Sequence, residues 1–342
     1  MRPLPLMQIA AKCVGKCSFG VLGEVSRPAV KLQDVKRIPE CVLDLARWIS
    51  LSNFMKSTFM IGGDLPVFRM GYGAMRLCGQ PGNFGPYPEW ESGKELLRRA
   101  VELGVNLIDT AHPYGPGFNE EIIADALAPY SGGTVVTTKG GVEKTAPDKV
   151  FADGKPESLR RFCEASLRRL RLDRIDLYQL HKPDPAVPFS ESVGALAELR
   201  DAGKIRHVGL SNVSLAQICE AEAIVPVCSV QNRYNFEERG DDPIVDYCER
   251  KGIAYLPWGP LAAKPFAPEA PLTEESDTSR LAMVGRRIGA TAGQVALAWL
   301  LERSSCIVLI PGTTSPKHLM ENVRAASLQL SPEDLAELNA VG

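Results

Sequence analysis

Nowhere in the 342 residues does an apolar run reach the roughly 18 residues that a membrane-spanning helix needs. Aromatic residues are few, at 7%, and neither charge sign is in excess: 39 Lys and Arg face 41 Asp and Glu, a net −2. A broad nucleic-acid footprint needs a basic surplus, so that class of partner is excluded. The nine cysteines (Cys13, Cys17, Cys41, Cys78, Cys163, Cys219, Cys228, Cys248 and Cys306) are odd in number and scattered. They do not form a secreted disulfide framework, and the expectation is free thiols in a reducing compartment. Metal-ligand spacing is missing as well. Cys13 and Cys17 come nearest to it, and no His or Cys pair follows at zinc spacing, so no metal is expected. What remains, 45% apolar and 23% charged residues, is an ordinary soluble composition with room for one large domain or two smaller ones.

The first 54 residues differ from the rest. Eight basic residues face four acidic ones there, which gives that segment +4 and leaves −6 for the remainder. Cys41, Leu45, Trp48 and Ile49 make one short helical stripe, and residues 1–40 show no period. Lys12 and Lys16 interrupt any apolar core of a secretory signal, and the segment is poor in serine for a transit peptide. The expected organisation is an extension over 1–54, mobile or ahead of a second start at Met55, and one folded unit over 55–342. The expected location is cytoplasmic, with organellar targeting by the extension as the alternative.

From residue 57 strand and helix patterns alternate. Gly62-Gly63-Asp64 between Thr58–Ile61 and Val67–Met70 predicts a hairpin. With 68–71 as the first, strands are predicted at 104–108, 134–138, 175–180, 205–210, 227–230, 253–256 and 307–310. Helix patterns fall between them, such as 119–127, 157–170 and 190–202. Helix starts are read at Ser92 with Glu95 (a capping box), Asp242-Pro243, Ser315-Pro316 and Ser331-Pro332. Eight strands in alternation with helices over about 250 residues have the length of a (β/α)8 barrel. A doubly wound sheet fits the same alternation.

The polar residues collect where the strands end. Asp109 follows the second strand, Lys139 the third, His181 the fourth, Ser211-Asn212 the fifth, Gln231-Asn232 the sixth, Trp258 the seventh and Pro311-Gly312-Thr313 the eighth. In a barrel those ends form the one face on which active sites are built. Tyr114 lies five residues beyond Asp109. A phenol is a weak acid, with a pKa near 10. A nearby ammonium lowers it, so Lys139, held by Asp109, is expected to bring Tyr114 down. His181 can donate to a carbonyl oxygen. Such a set suits reduction of a carbonyl by hydride. Taken singly, each residue also has a structural explanation: a rim aromatic, a turn cap, a solvated charge, a buried histidine.

Together these residues resemble the aldo-keto reductase superfamily over 57–342. The stretches that carry the resemblance are G-Y-G-A-M-R (71–76), N-L-I-D-T-A-H-P-Y-G (106–115), V-V-T-T-K (135–139), D-L-Y-Q-L-H (176–181), K-I-R-H-V-G-L-S-N (204–212), V-Q-N-R-Y-N (230–235), W-G-P-L (258–261) and I-P-G-T-T-S-P-K-H-L-M-E-N (310–322). The resemblance implies a (β/α)8 barrel that binds an extended nicotinamide dinucleotide. It makes Tyr114 the proton donor, Lys139 and Asp109 its tuners, and His181 the residue that orients the carbonyl. Ser211, Asn212 and Gln231 would hold the carboxamide, and Trp258 would stack on the nicotinamide ring, with Pro260 and Leu261 beside it. Met75 and Arg76 would line the mouth. Gly312, Thr313, Lys317, His318 and Asn322 would hold the far half. NADPH is the implied cofactor. The arginine usual near its 2′-phosphate is missing, which leaves NADH open, although Ser315-Pro316 opens a helix whose free N–H groups attract phosphate.

Two other motifs do not hold. Arg76 stands where the last glycine of a dinucleotide fingerprint belongs, and the Tyr178–Lys182 Y-x-x-x-K spacing falls in a strand pattern rather than on a helix. Residues 69–86 and 112–127 resemble the microbial branch that includes pyridoxal reductases, which makes an aromatic aldehyde such as pyridoxal a candidate substrate, with a broad aldehyde and ketone reductase as the alternative. Oligomeric state does not read from the sequence. A different class of function, a cofactor-binding regulator like the potassium-channel β subunits, would keep the fold and show little turnover.

Overall fold

A computed structural model describes residues 57–130, 133–261 and 279–340. The expected stripe at Cys41–Ile49, and residues 262–278, lie outside the described residues. Residues 57 onward group as one unit, which opens with the hairpin that its glycines specify. Strand β1 (Thr58–Ile61) pairs antiparallel with β2 (Leu65–Phe68), and Gly62 and Gly63 take φ of 62° and 82° in the turn. The second arm starts earlier than the sequence predicts, at Leu65 rather than Val67. Ile61, Leu65 and Val67 pack against Leu107, Val135, Leu177 and Val308, near the starts of barrel strands. The hairpin therefore covers the N-terminal mouth of the barrel, the end opposite the strand C-termini.

The barrel strands follow as β3 (Tyr72–Gly73), β4 (Leu107–Asp109) and β5 (Val135–Gly140). A second hairpin, β6 (Val142–Ala146) with β7 (Lys149–Ala152), rises from the end of β5. Then come β8 (Ile175–Leu180), β9 (Ile205–Ser211), β10 (Val227–Gln231) and β11 (Ala254–Tyr255). Seven of these strands, all but the two hairpins, form one parallel sheet in chain order. The predicted eighth strand closes it. Residues 307–310 bridge to Tyr255 on one side and Met70 on the other. Val308 donates to Tyr255 O at 2.9 Å, and Leu309 donates to Arg69 O at 2.8 Å. The ring excludes the doubly wound alternative.

Ten helices are described: α1 (Trp90–Glu102), α2 (Phe118–Leu127), α3 (Pro156–Leu170), α4 (Phe189–Asp201), α5 (Leu215–Glu222), α6 (Asp242–Lys251), α7 (Arg280–Ile288), α8 (Ala292–Arg303), α9 (Pro316–Ala325) and α10 (Pro332–Asn339). Helix α3 buries Leu159, Phe162, Cys163, Ser166, Leu167 and Leu170, the stripe its period predicts. Ser315 and Ser331 cap α9 and α10 as expected, accepting from the N–H groups of His318 and Asp334. Two predicted starts are corrected. Ser92 lies inside α1, which begins at Trp90, where the indole reaches Asp125 of α2. Helix α6 has Asp241 as its N-cap, and Asp242 instead accepts from Tyr234 Oη and Arg303.

Candidate active site

Lys139 sits near the end of β5 and is fully buried. Its ammonium uses all three N–H groups. It donates to both carboxylate oxygens of Asp109 at 2.9 and 2.7 Å and to Thr110 O at 2.8 Å. Asp109, the last residue of β4, also accepts from Gln231 Nε2 of β10 at 3.0 Å. Three strand ends are thus tied at one carboxylate. Gln179 of β8 lies close by and donates to Thr137 Oγ1 at 2.9 Å. Sequence reasoning passed over Gln179, although a glutamine inside the apolar run D-L-Y-Q-L was a readable signal.

Tyr114 stands on the loop after β4. Its ring meets that of His181 edge-on, with centroids 6.0 Å apart, and the Lys139 ammonium lies 5.5 Å from its centroid. The four predicted catalytic residues are therefore one group. Their electrostatics differ from the expectation in one respect. Tyr114 is not brought down: burial and then the Asp109 carboxylate push its phenol well above the ordinary tyrosine value. The physical reason is that Lys139 spends its charge on Asp109, so the pair presents little net field to the phenol. Lys139 itself is pulled below the ordinary lysine value by burial, which the carboxylate opposes. Burial, aided by the Lys139 charge, holds His181 down to about 3, so its imidazole is neutral at pH 7. Its Nδ1 is buried without a partner.

Behind the tyrosine loop lies a cluster that the sequence did not reveal. Glu120, fully buried, accepts from Thr138 Oγ1 at 2.7 Å and from Arg169 at 3.2 Å. Arg169 Nη1 lies 3.1 Å from His112 Nδ1. Gly117, at φ 87°, takes a left-handed turn that favours glycine, and a Cβ there would also stand 2.5 Å from the Arg169 guanidinium.

The remaining predicted residues fall into two groups. Asn212, at φ 57°, donates to His181 O at 2.9 Å and to Ser211 Oγ at 3.0 Å. Ser211 Oγ donates to Gln231 O at 2.8 Å, and Trp258 Nε1 donates to Asn212 Oδ1 at 3.1 Å. Arg233 lies 5.1 Å over the Trp258 ring. Pro260 is buried just beyond, with Leu261 half-buried. Met75, half-buried, follows β3 in a single 3-10 turn over Ala74–Arg76. The second group lies at the start of α9. Tyr72 Oη donates to Thr313 O at 2.6 Å, and Thr313 Oγ1 accepts from Ser315 N at 3.0 Å. Asn322 is nearly buried, and His318 is exposed. The Lys317 side chain is 73% exposed, 3.7 Å from Glu321. Gly73 and Gly312 bring the first and last strands together, since a Cβ on Gly312 would come within 2.6 Å of Gly73 O.

Residues 69–342 match the Aldo/keto reductase family model. An uncharacterized oxidoreductase of Schizosaccharomyces pombe is 42% identical over 280 residues, covering 82% of this chain and 88% of its own length. Pyridoxine 4-dehydrogenase of Escherichia coli is 40% identical over 294 residues, covering 84% of this chain and 99% of its own. Among solved structures, the glycerol dehydrogenase of Gluconobacter oxydans matches with a TM-score of 0.72 at 27% identity, over 83% of this chain and 94% of that one. A Klebsiella pneumoniae aldo-keto reductase in complex with NADPH matches with a TM-score of 0.67 at 26% identity, with the same coverage. The strand-end chemistry and a family match running from the first barrel strand to the C-terminus lead to one conclusion: the chain belongs to the aldo/keto reductase family.

Proposed function

We propose that this chain reduces an aldehyde or ketone to the alcohol with NADPH, and that pyridoxal is among its substrates. The observation that carries the reading is the grouping of Tyr114 and His181, edge-on at 6.0 Å, over the buried Lys139–Asp109 pair. Tyr114 keeps its proton at neutral pH and can give it to a carbonyl oxygen as negative charge develops there. His181 is neutral and has a buried ring nitrogen without a partner, suited to hydrogen bonding with the substrate. Lys139 and Asp109 fix the floor beneath the phenol.

The residues fit a nicotinamide dinucleotide. Ser211, Asn212 and Gln231 offer the mixed donors and acceptors that a carboxamide needs, and Trp258 offers a flat face beside them. At the far end Gly312 keeps the backbone free of a side chain, and the start of α9 adds the positive end of the helix dipole. Lys317 supplies the positive charge there, which favours a 2′-phosphate and hence NADPH over NADH. When bound, the cofactor supplies the hydride. The pyridoxal assignment rests on the likeness to the Escherichia coli pyridoxine 4-dehydrogenase.

The test follows oxidation of NADPH and of NADH by absorbance, with pyridoxal beside simple aldehydes and ketones. NADPH-dependent turnover is expected. Tyr114→Phe should cut kcat by about 10²–10⁴-fold, with NADPH affinity by fluorescence titration unchanged. Near-wild-type activity in Tyr114→Phe would overturn the acid assignment. Tight cofactor binding with no turnover of any carbonyl would favour the regulatory reading over the enzymatic one.

A further inference from the structure

Five charged side chains other than histidine are buried among the described residues: Asp109, Glu120, Lys139, Lys144 and Asp334. Four of them have an opposite charge against them, in the pairs Lys139–Asp109, Arg169–Glu120 and Arg287–Asp334. Lys144 has none. It is 6% exposed, on the buried face of β6 with Val142, and its ammonium donates to Gly82 O. An ammonium has three N–H groups, and a buried one without a counter-ion is costly. No carboxylate lies within ion-pair reach of Lys144 among the described residues, and two of its N–H groups are left over.

Its position says what could use them. The β6–β7 hairpin rises from the strand end that carries Lys139, so Lys144 stands on the active-site face. The loop it grips is hydrogen-bonded to the residue after Tyr114: Gly85 N donates to Gly115 O at 3.0 Å and Gly115 N donates to Asn83 O at 3.1 Å. Cys78, at the root of that loop, lies against Gly115, where an added Cβ would come within 3.2 Å of its own. The loop that Lys144 grips is therefore tied directly to the residue that follows the proton donor.

We propose that Lys144 is the anchor for an anionic oxygen at the far end of the substrate, which makes the preferred substrates aldehydes or ketones that also carry a carboxylate or a phenolate. This rests on the carbonyl-reductase reading above. Tyr114 and His181 take the carbonyl end, and Lys144 takes the charged end. Binding of the anion supplies the missing counter-ion and opposes the burial that holds the Lys144 pKa below the ordinary value.

The test compares matched pairs with the full chain and NADPH: 4-carboxybenzaldehyde against its methyl ester, and 4-hydroxybenzaldehyde at pH 8.5 against 4-methoxybenzaldehyde. A charge-assisted hydrogen bond predicts about tenfold or more in kcat/KM for the charged member. The first pair reads a carboxylate and the second a phenolate, and preference in either supports the proposal. In Lys144→Met the charged-to-neutral ratio should fall by that factor, and in Lys144→Arg it should largely survive. No preference in the wild type overturns the proposal. So does a parallel loss on both members in Lys144→Met, which is what a mere clamp on Gly82 predicts. Should Lys144→Met fail to fold, the wild-type ratio and Lys144→Arg still decide. Failure of the wild type on every aldehyde, pyridoxal included, would instead overturn the carbonyl-reductase reading itself.

Discussion

Replacing Lys139 by methionine removes the ammonium while keeping most of the side chain's shape. Asp109, 3% exposed, would then be a buried carboxylate held chiefly by Gln231 at 3.0 Å. Breaking one side of a buried ion pair costs about 3–5 kcal/mol, because the other charge is left uncompensated. With an unfolding entropy of roughly 2.1 cal/mol/K per residue over roughly 290 residues, that cost lowers Tm by about 5–8 °C. The double variant Lys139→Met with Asp109→Asn leaves no charge behind, and the amide can still accept from Gln231. Its cost should be about 1–2 kcal/mol, less than that of the single change. Scanning calorimetry at pH 7.5 measures all the proteins, and carbonyl turnover is read in parallel. On the proposed mechanism both variants lose most activity, so the double variant separates stability from catalysis. A single-variant cost under about 1 kcal/mol, or a double cost equal to the sum of the singles, would refute the reasoning that these charges compensate one another.

Stability should depend on acid in a definite direction. Burial holds His112 down to about 4 and His181 down to about 3, both below the ordinary value of 6.5. The unfolded chain therefore binds more protons as pH falls below 6.5, and stability is lost from there down through the folded values. Urea midpoints should be level from pH 8 to 7 and decline from pH 6.5 to 4, and His112→Gln should flatten that decline; an unchanged slope would contradict the assignment. The raised Tyr114 phenol predicts an asymmetry between directions. Carbonyl reduction should be nearly independent of Tyr114 ionisation from pH 6 to 9. Alcohol oxidation, which needs a phenolate as base, should keep rising to the highest pH at which the protein stays folded; an oxidation rate that levels off near pH 7 would refute it.

The strands were legible in the sequence because parallel strands buried on both faces read as short apolar runs, as Ile175–Leu180 does. The site was legible because most of the runs stop at a polar residue, as at Asp109, Lys139 and His181, and a barrel brings those stops together. Barrel closure was not legible: alternation is the same in an open sheet, and closure depends on contacts such as Met70 with Leu309, far apart in the chain. The β6–β7 hairpin also escaped. Its run V-E-K-T-A buries a lysine and exposes a threonine, so hydrophobic alternation gives no signal. Ser92 misled because Ser-x-x-Glu is a cap signature wherever it occurs, and here the chain was already helical from Trp90. Arg169 gave no warning because an arginine on an amphipathic helix ordinarily belongs to its solvent face.

The error over Tyr114 has a more general cause. Reading a lysine beside a tyrosine as an acidifying influence counts one charge and omits its partner. Lys139 and Asp109 are both buried, and neither can be placed there alone at reasonable cost. The carboxylate that makes the ammonium tolerable also cancels most of its field. What the pair then contributes to the tyrosine is position and a dry floor rather than acidity. A tyrosine so placed suits an enzyme whose task at neutral pH is to give a proton, and it suits poorly one whose task is to take a proton away. Lys144 is the complementary case. It is a buried ammonium on the hairpin beside the same site, with no carboxylate within ion-pair reach among the described residues, and on the proposal above the substrate's anion supplies the missing charge.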